Sequence, residues 1–220
     1  MNKKGEMKIK VATAQDADAI SSLRKQAYRS GSKTELSQLD FLEWSPADDQ
    51  ALILAVESPE GELVSSIRLS ISEDQKGLEQ LFDIRLQQKL KGPILLLDKL
   101  TTLPNYRRLG LSALLRYHIL HFATASDIRH IAFTINYGVS RMAHLLELGF
   151  NLQKADISHR QTELYQNDTD VLLGTLHASN FKLASELAFQ NLRQPFQNLG
   201  FAEQDEAGIQ RFMQRALLEA

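Results

Sequence analysis

The stretch Leu100 to Leu115, LTTLPNYRRLGLSALL, carries the clearest chemical signal in the chain, with Arg107, Gly110 and Ser112 in the spacing R-x-x-G-x-S. It directly follows a strand-like run and opens an amphipathic segment. Glycine at 110 lets the backbone turn tightly and approach a ligand, and a helix starting there leaves its first N–H groups without intrahelical partners. Those groups, backed by the positive end of the helix dipole, make a seat for a phosphate or pyrophosphate along Leu109, Gly110, Leu111 and Ser112. Arg107 and Arg108 add charge-assisted donors, worth about 1.5–3 kcal/mol each when engaged. Neither GxxxxGKS/T, the nucleoside triphosphate pattern, nor GxGxxG, the dinucleotide pattern, occurs in the chain. The competing structural reading is a solvated arginine pair beside a helix-end glycine. It loses ground because a strand precedes the motif, a helix follows it, and a second strand-helix unit comes next.

Asp98 interrupts the apolar run that begins at Ile94, and a partly buried carboxylate with a raised pKa can accept a proton through water. The plainer alternative is an Asp98–Lys99 pair at the end of a buried strand. Glu57, closing another apolar run, is a weaker candidate base. His118 and His121 stand three apart on one helix, but no further ligand accompanies them, so they read as ordinary helix residues and no metal is expected.

These side chains need elements to hold them. Met7 to Ala12 alternates, with Ile9 and Val11 on one face, and Thr13 three residues before Asp16 opens a helix carrying Ile20, Leu23 and Ala27. Gly31 to Asp49, polar and turn-rich around Trp44 and Pro46, reads as a connection with at most one short helix. Ala51 to Val56, the turn cluster Ser58-Pro59-Glu60-Gly61 and the alternating Ile67, Leu69 and Ile71 predict an antiparallel hairpin. Leu78, Leu81, Phe82, Leu86 and Leu90 recur near period 3.6 within residues 73–92, which predicts a helix inserted before the strand at Ile94 to Leu97. A helix with Leu111, Leu114, Leu115, Ile119 and Phe122 follows, then a strand at Ile131 to Ile135 and a helix ending at Leu148-Gly149. The expected order is β-α-β-β-(α)-β-α-β-α. Beyond it, Asp170 to Leu176 reads as a strand, and Phe181 to Leu192 and Gly208 to Leu218 as helices that complete the sheet and pack across it.

With 220 residues, 43% apolar and 24% charged, the chain has the composition of an ordinary globular domain rather than a disordered one. A formal charge of -2 supplies no overall positive field for nucleic acid. No run of 18 apolar residues marks a membrane span, and the basic N-terminus lacks an apolar signal core, so a cytoplasmic protein is expected. The absence of cysteine excludes disulfides, thiolate metal sites and acyl transfer through a cysteine thioester.

The segment from Ile94 to Phe150 resembles the GNAT superfamily of N-acetyltransferases, whose acetyl-coenzyme A signature is Gln/Arg-x-x-Gly-x-Gly/Ala after the fourth strand. Arg107, Gly110 and Ser112 fill the three positions, with serine replacing the last small residue; Pro104-Asn105-Tyr106 supplies the lead-in, and Asn136 and Leu148-Gly149-Phe150 match the next strand and helix. The resemblance implies an α/β (α+β) fold with a mixed, mostly antiparallel central sheet flanked by helices. It implies one acyltransferase domain over residues 1–220, with a core of about 7–152, the helical insertion 73–92, and a C-terminal region 153–220. It further implies that the fourth strand splays from the fifth at a bulge, so that Leu100, Thr101 and Thr102 meet the acyl-pantetheine arm through their backbone. A freed N–H there polarises the thioester while an amine attacks it directly. Many family members place a tyrosine acid four residues before the helix-ending glycine; here that position is Leu145. Tyr137, His144 and Ser140 are the nearby substitutes, against plain readings as a cap, a packed aromatic or a surface imidazole. Three functions stay open: acetyl transfer from acetyl-coenzyme A to a small-molecule or peptide amine; an N-acyl amino acid synthase-like reaction with a longer acyl-coenzyme A or acyl carrier protein, met by Lys89, Lys91, Arg107 and Arg108; and a noncatalytic acyl-coenzyme A sensor.

Overall fold

Alternating and continuous apolar runs form a seven-stranded sheet in a computed structural model of the chain, which describes residues 6–29, 40–86, 89–136, 142–158 and 171–214. Its strands are β1 (Lys8–Ala12), β2 (Leu52–Glu57), β3 (Leu63–Asp74), β4 (Lys91–Thr102), β5 (His130–Asn136), β6 (Asn151–Lys154) and β7 (Val171–His177). Their order is β1-β2-β3-β4-β5-β7-β6, and every neighbouring pair is antiparallel except β4 with β5. The helices are α1 (Ala17–Arg29), α2 (Pro46–Asp49), α3 (Gln75–Phe82), α4 (Leu111–Ala123), α5 (Met142–Glu147), α6 (Phe181–Gln190), α7 (Gln194–Gln197) and α8 (Glu203–Gln214). This is the expected mixed, mostly antiparallel sheet flanked by helices.

The near-continuous apolar runs of β4 and β5 have a simple cause: both faces of the central sheet are covered. Leu95, Leu97, Ile131, Phe133 and Ile135 join the main core with Ile20 and Leu23 of α1, Leu114, Leu115 and Ile119 of α4, and Ile209 of α8. Ile94, Leu96 and Ala132 turn the other way, into a smaller cluster with Leu78 and Phe82 of α3. The capping box at Thr13 and Asp16 is present, and Gly149 closes the turn after α5 at φ +84°.

Two expectations need correction. The insertion is not a helix over residues 73–92: Glu73 and Asp74 end β3, and α3 begins when the Asp74 side chain caps the Gly77 N–H at 3.0 Å. It stops at Asp83, which takes a left-handed φ of +50°. Leu86 and Leu90 keep helical spacing for another reason. Their N–H groups bond back to Glu79 Oε1 and Gln75 Oε1 at 2.8 and 3.0 Å, so the helix's own side chains hold the returning chain against it. Likewise the last helix starts at Glu203 rather than Gly208, because three acidic residues in its first turn suit the helix N-terminus. The short β6, with leucine as its one large apolar residue, gave no periodic signal; its register against β7 defines it.

Candidate functional site

Pairing between β4 and β5 runs only from Ile94 with His130 to Leu97 with Phe133. Beyond that point β4 stays bonded to β3 as far as Thr102, and β5 stays bonded to β7 as far as Asn136. The two strands therefore part, leaving a gap along Asp98 to Thr102. The cause lies in β4: Arg68 pairs with Asp98 and Ser66 with Thr101, so Lys99 and Leu100 together face Ile67 alone. This is a β-bulge, and Lys99 takes φ +48° within it. Ser65 and Ser66 bind the Thr101 carbonyl and the Thr101 and Thr102 hydroxyls at 2.9–3.1 Å, holding the far side of β4 and leaving its other edge toward the gap.

The gap leads to the start of α4. Gly110 is the N-cap residue at φ +98° and offers no side-chain cap, and Arg108 also has positive φ, at +63°. The N–H groups of Leu109, Gly110, Leu111 and Ser112 donate to no group among the described residues. Four unused donors at a helix start are the arrangement from which the sequence reading expects an anion seat. Arg107 is positioned differently from the expected phosphate ligand. Its Nη2 donates to the Ala27 carbonyl at 2.8 Å and its Nε to Thr102 at 3.4 Å, so it ties the last turn of α1 to the end of β4. Arg193 borders the seat instead: a methyl group built on Gly110 would stand 4.0 Å from its Cδ and 3.6 Å from the Phe196 ring. Both come from the C-terminal region, whose sequence carries no motif that would have singled them out.

A network of charges backs the bulge. Arg24 of α1, fully buried, donates through Nη2 to Asp48 Oδ1 at 2.7 Å. Ser45 N and Oγ reach Asp48 Oδ2 at 2.9 Å, and Lys99 Nζ lies 3.4 Å from it. Arg68 grips both oxygens of Asp98, with Nε to Oδ1 at 2.8 Å, and its Nη1 stands 3.7 Å from Asp48. Burial pushes the Asp48 carboxyl up, but the Arg24 hydrogen bond and charge, Lys99 and Ser45 outweigh it and hold the pKa at about 2. Burial, then the Arg24 and Arg68 charges, pull the Lys99 ammonium below its usual range despite Asp48 and Asp98. The expected Asp98–Lys99 pair is thus replaced by Asp98–Arg68 and Lys99–Asp48, and both Asp98 oxygens are taken up by the guanidinium. Sequence reasoning missed Arg24, Asp48 and Arg68. Asp48 had a signal, the capping box Ser45-Pro46-x-Asp48 with proline in the first turn.

The remaining candidates are dispersed. Tyr137 and Ser140 lie outside the described residues. Asn136 ends β5 opposite Val171. His144 lies 3.7 Å from Glu147, and burial with the Arg116 charge lowers its pKa against the pull of Glu147. Leu145 is buried in the main core, so the place of the usual tyrosine is a packing position here. His118 is buried, meets the Leu199 carbonyl at 3.0 Å and is pushed down to about 4 by burial. It lines a hollow of about 590 Å³ between the later turns of α4 and α8. Among the described residues no cluster of three or more potential metal ligands forms, and no helix is long and apolar enough to cross a membrane.

Comparison with known proteins finds the same overall fold in solved structures. Similar structures include FeeM, an N-acyl amino acid synthase from uncultured soil microbes (15% identity, 86% of this chain and 98% of that one, TM-score 0.57). The coenzyme A-dependent acyl-homoserine lactone synthase BjaI is also similar (11%, 89% and 93%, 0.57), as is NAA60 of Arabidopsis thaliana in complex with acetyl-CoA (13%, 78% and 99%, 0.53). No curated protein matches the sequence. The model of the Acetyltransferase (GNAT) family matches residues 17–150, more than half of the 220 residues, and the chain belongs to that family.

Proposed function

We propose that the protein is an N-acyltransferase that carries an acyl group, acetyl in the first instance, from acyl-coenzyme A to a primary amine within one ternary complex. The single observation that carries this reading is the gap between β4 and β5 leading to the four free N–H groups at Leu109 to Ser112. In it the pyrophosphate sits on Leu109 to Ser112, flanked by Arg108 and Arg193, and the pantetheine arm lies along Leu100, Thr101 and Thr102 as a strand would. The amine nitrogen attacks the thioester carbon; the C–N bond forms, the C–S bond breaks, the amine gives up a proton and the thiolate takes one. With no cysteine in the chain, no acyl-enzyme on sulfur intervenes. Asp98, held by Arg68, suits charge and positioning better than proton abstraction. The whole span 1–220 acts as one acyltransferase domain, since α6 and α8 pack on α4 and Arg193 and Phe196 border its N-terminus; its proposed place is the cytoplasm.

A longer acyl group, from acyl-coenzyme A or an acyl carrier protein, is the second reading. It is favoured by the apolar cluster of Leu78, Phe82, Ile94, Leu96 and Ala132 under the closed end of the gap. Titration calorimetry with acetyl-, octanoyl- and palmitoyl-coenzyme A, followed by thiol release on adding amines, tests both. Tightening by several-fold per methylene, sensitive to Phe82→Ala, selects the long chain. Binding without thiol release from any amine selects a sensor, and no binding removes the proposal.

A further inference from the structure

We propose that the charge network behind the β4 bulge seats the carboxylate of the acceptor, and that the acceptor is an α-amino acid. The inference rests on the acyl-transfer reading above and names its second substrate. Arg24 carries it first. Its side chain has no solvent exposure, yet Nε and Nη1 have no hydrogen-bond partner, and they are the only such buried side-chain nitrogens or oxygens among the described residues. A guanidinium cannot shed its proton to escape this cost, so its free donors call for an anion or another acceptor.

The charge balance points the same way. Arg24, Arg68 and Lys99 face Asp48 and Asp98, which leaves one positive charge in excess in a largely enclosed network. One carboxylate balances it; a phosphate dianion or a neutral amine does not. The way in is at the members that reach solvent, Lys99 and Asp98, whose side chains are 12% and 18% exposed. Lys99 is the member most readily redirected, since it meets Asp48 at 3.4 Å while Arg24 and Ser45 already satisfy that carboxylate more closely.

Position supplies the rest. Lys99 immediately precedes Leu100, Thr101 and Thr102, the strip along which the thioester arm lies. An α-amino acid carries its nitrogen two bonds from its carboxyl carbon, so a carboxylate held at Lys99 and Arg24 brings that nitrogen beside the bulge. A bulky peptide amine without a nearby carboxylate has no such anchor.

The test uses the whole protein with acetyl- and octanoyl-coenzyme A and measures thiol release, to which a chain without cysteine adds no background, or acyl-amide formation where the acceptor is cysteine. The acceptors are the twenty amino acids, each beside its α-amide and its decarboxylated amine. At least one acid is expected to exceed its amide in kcat/KM by about a hundredfold or more, because a buried polar site discriminates strongly against a substrate lacking its partner. Lys99→Met and Arg24→Lys are each expected to shrink that ratio at least tenfold, mainly through KM for the acid, with the acetyl-coenzyme A Kd within about twofold of wild type. Lys25→Met, at an exposed pair with Glu43, is the control and leaves the ratio unchanged. Lys99→Met keeps the test alive if the Arg24 variant does not fold. Equal turnover of acids and amides, silence of all twenty acids, or equal loss on acid and amide in the Lys99 variant overturns the assignment. Failure to bind either acyl-coenzyme A overturns instead the reading on which it rests.

Discussion

The start of α4 and the bulge of β4 lie at the two ends of one strip of chain, Lys99 to Ser112, and are built on opposite principles. The α4 end is made of backbone: free N–H groups and two left-handed residues, Arg108 and Gly110. The bulge end is made of side chains gathered from α1, α2, β3 and β4. A backbone site needs a short local motif and tolerates drift elsewhere. A side-chain site needs every contributor, and each removal leaves a buried charge without its partner. The difference makes the bulge the more fragile region and, under the proposed function, the α4 end the more sharply tied to ligand.

Asp48→Asn breaks the bulge and is expected to have the largest effect. It leaves Arg24, Arg68 and Lys99 facing one carboxylate, at a cost of about 3–5 kcal/mol of stability, read from the shift of a denaturant midpoint. A loss below about 1 kcal/mol would mean that water already shares the network. The pH dependence follows from the depressed pKa. The unfolded chain binds the proton near the ordinary value of 3.8 and the folded one only near 2, so the stability from Asp48 is present above about pH 4 and lost as pH falls toward 2. His118 acts in a separate window: its ring stays neutral to about pH 4 when folded but takes a proton near 6.5 when unfolded, so its contribution is lost between those values on acidification. The stability gap between wild type and Asp48→Asn, read from melting curves, should stay constant through the upper window and shrink only as pH falls through the lower one.

Gly110→Glu tests the other end. At φ +98° any side chain is strained, at about 1 kcal/mol, and the new carboxylate would sit at the dipole end, occupying the seat meant for a phosphate. Acetyl-coenzyme A affinity should fall about a hundredfold or more, with a smaller change in stability than for Asp48→Asn. Unchanged calorimetric affinity in a folded Gly110→Glu protein would remove the seat from this turn.

The same contrast explains what the sequence could disclose. R-x-x-G-x-S after an apolar run is local, so the turn at Gly110, Leu111 and Ser112 into α4 is legible, and apolar runs with period-2 and period-3.6 patterns place β1 to β5, α1 and α4. Arg107 was legible as a cation near the seat, but its tie to the Ala27 carbonyl is eighty residues away in sequence. Arg24, Asp48 and Arg68 come from three segments whose local patterns describe only a helix face, a cap and an edge of a strand. Their meeting follows from α1 packing across β3 and β4. The insertion misled for a related reason, since leucines at helical spacing served first a helix and then a strap bonded to it.

Arg193→Ala sharpens the comparison by asking whether the backbone seat borrows a side chain. Arg193 lies outside the matched family region 17–150 yet borders Gly110. A flanking, solvent-exposed guanidinium contributes less than a buried one, so acetyl-coenzyme A affinity should weaken about five- to tenfold, with a shallower salt dependence than wild type. Pantetheine thioesters, which lack the pyrophosphate, should be unaffected. An equal loss for both donors would show that Arg193 supports the fold around α7 rather than the phosphates.

His144→Ala should have the smallest effect, less than about threefold in turnover, whereas removal of a true general acid costs about 10² to 10⁴. His144 is one position from Leu145 on α5, which turns it about 100° away from the place where a tyrosine acid would stand. Its Nδ1 faces Glu147 at 3.7 Å. Burial and the Arg116 charge lower its pKa, so at neutral pH the ring is mostly without the proton that the departing thiolate needs. Leu145 itself is locked in the core beside Leu148 and Phe150 and offers no proton at all. A thiolate leaving beside the cationic bulge needs an acid less than one leaving into an apolar cleft. A turnover loss of a hundredfold in His144→Ala, with acetyl-coenzyme A affinity intact and a pH profile shifted on its alkaline limb, would identify the ring as the acid and show that the bulge does not carry that charge.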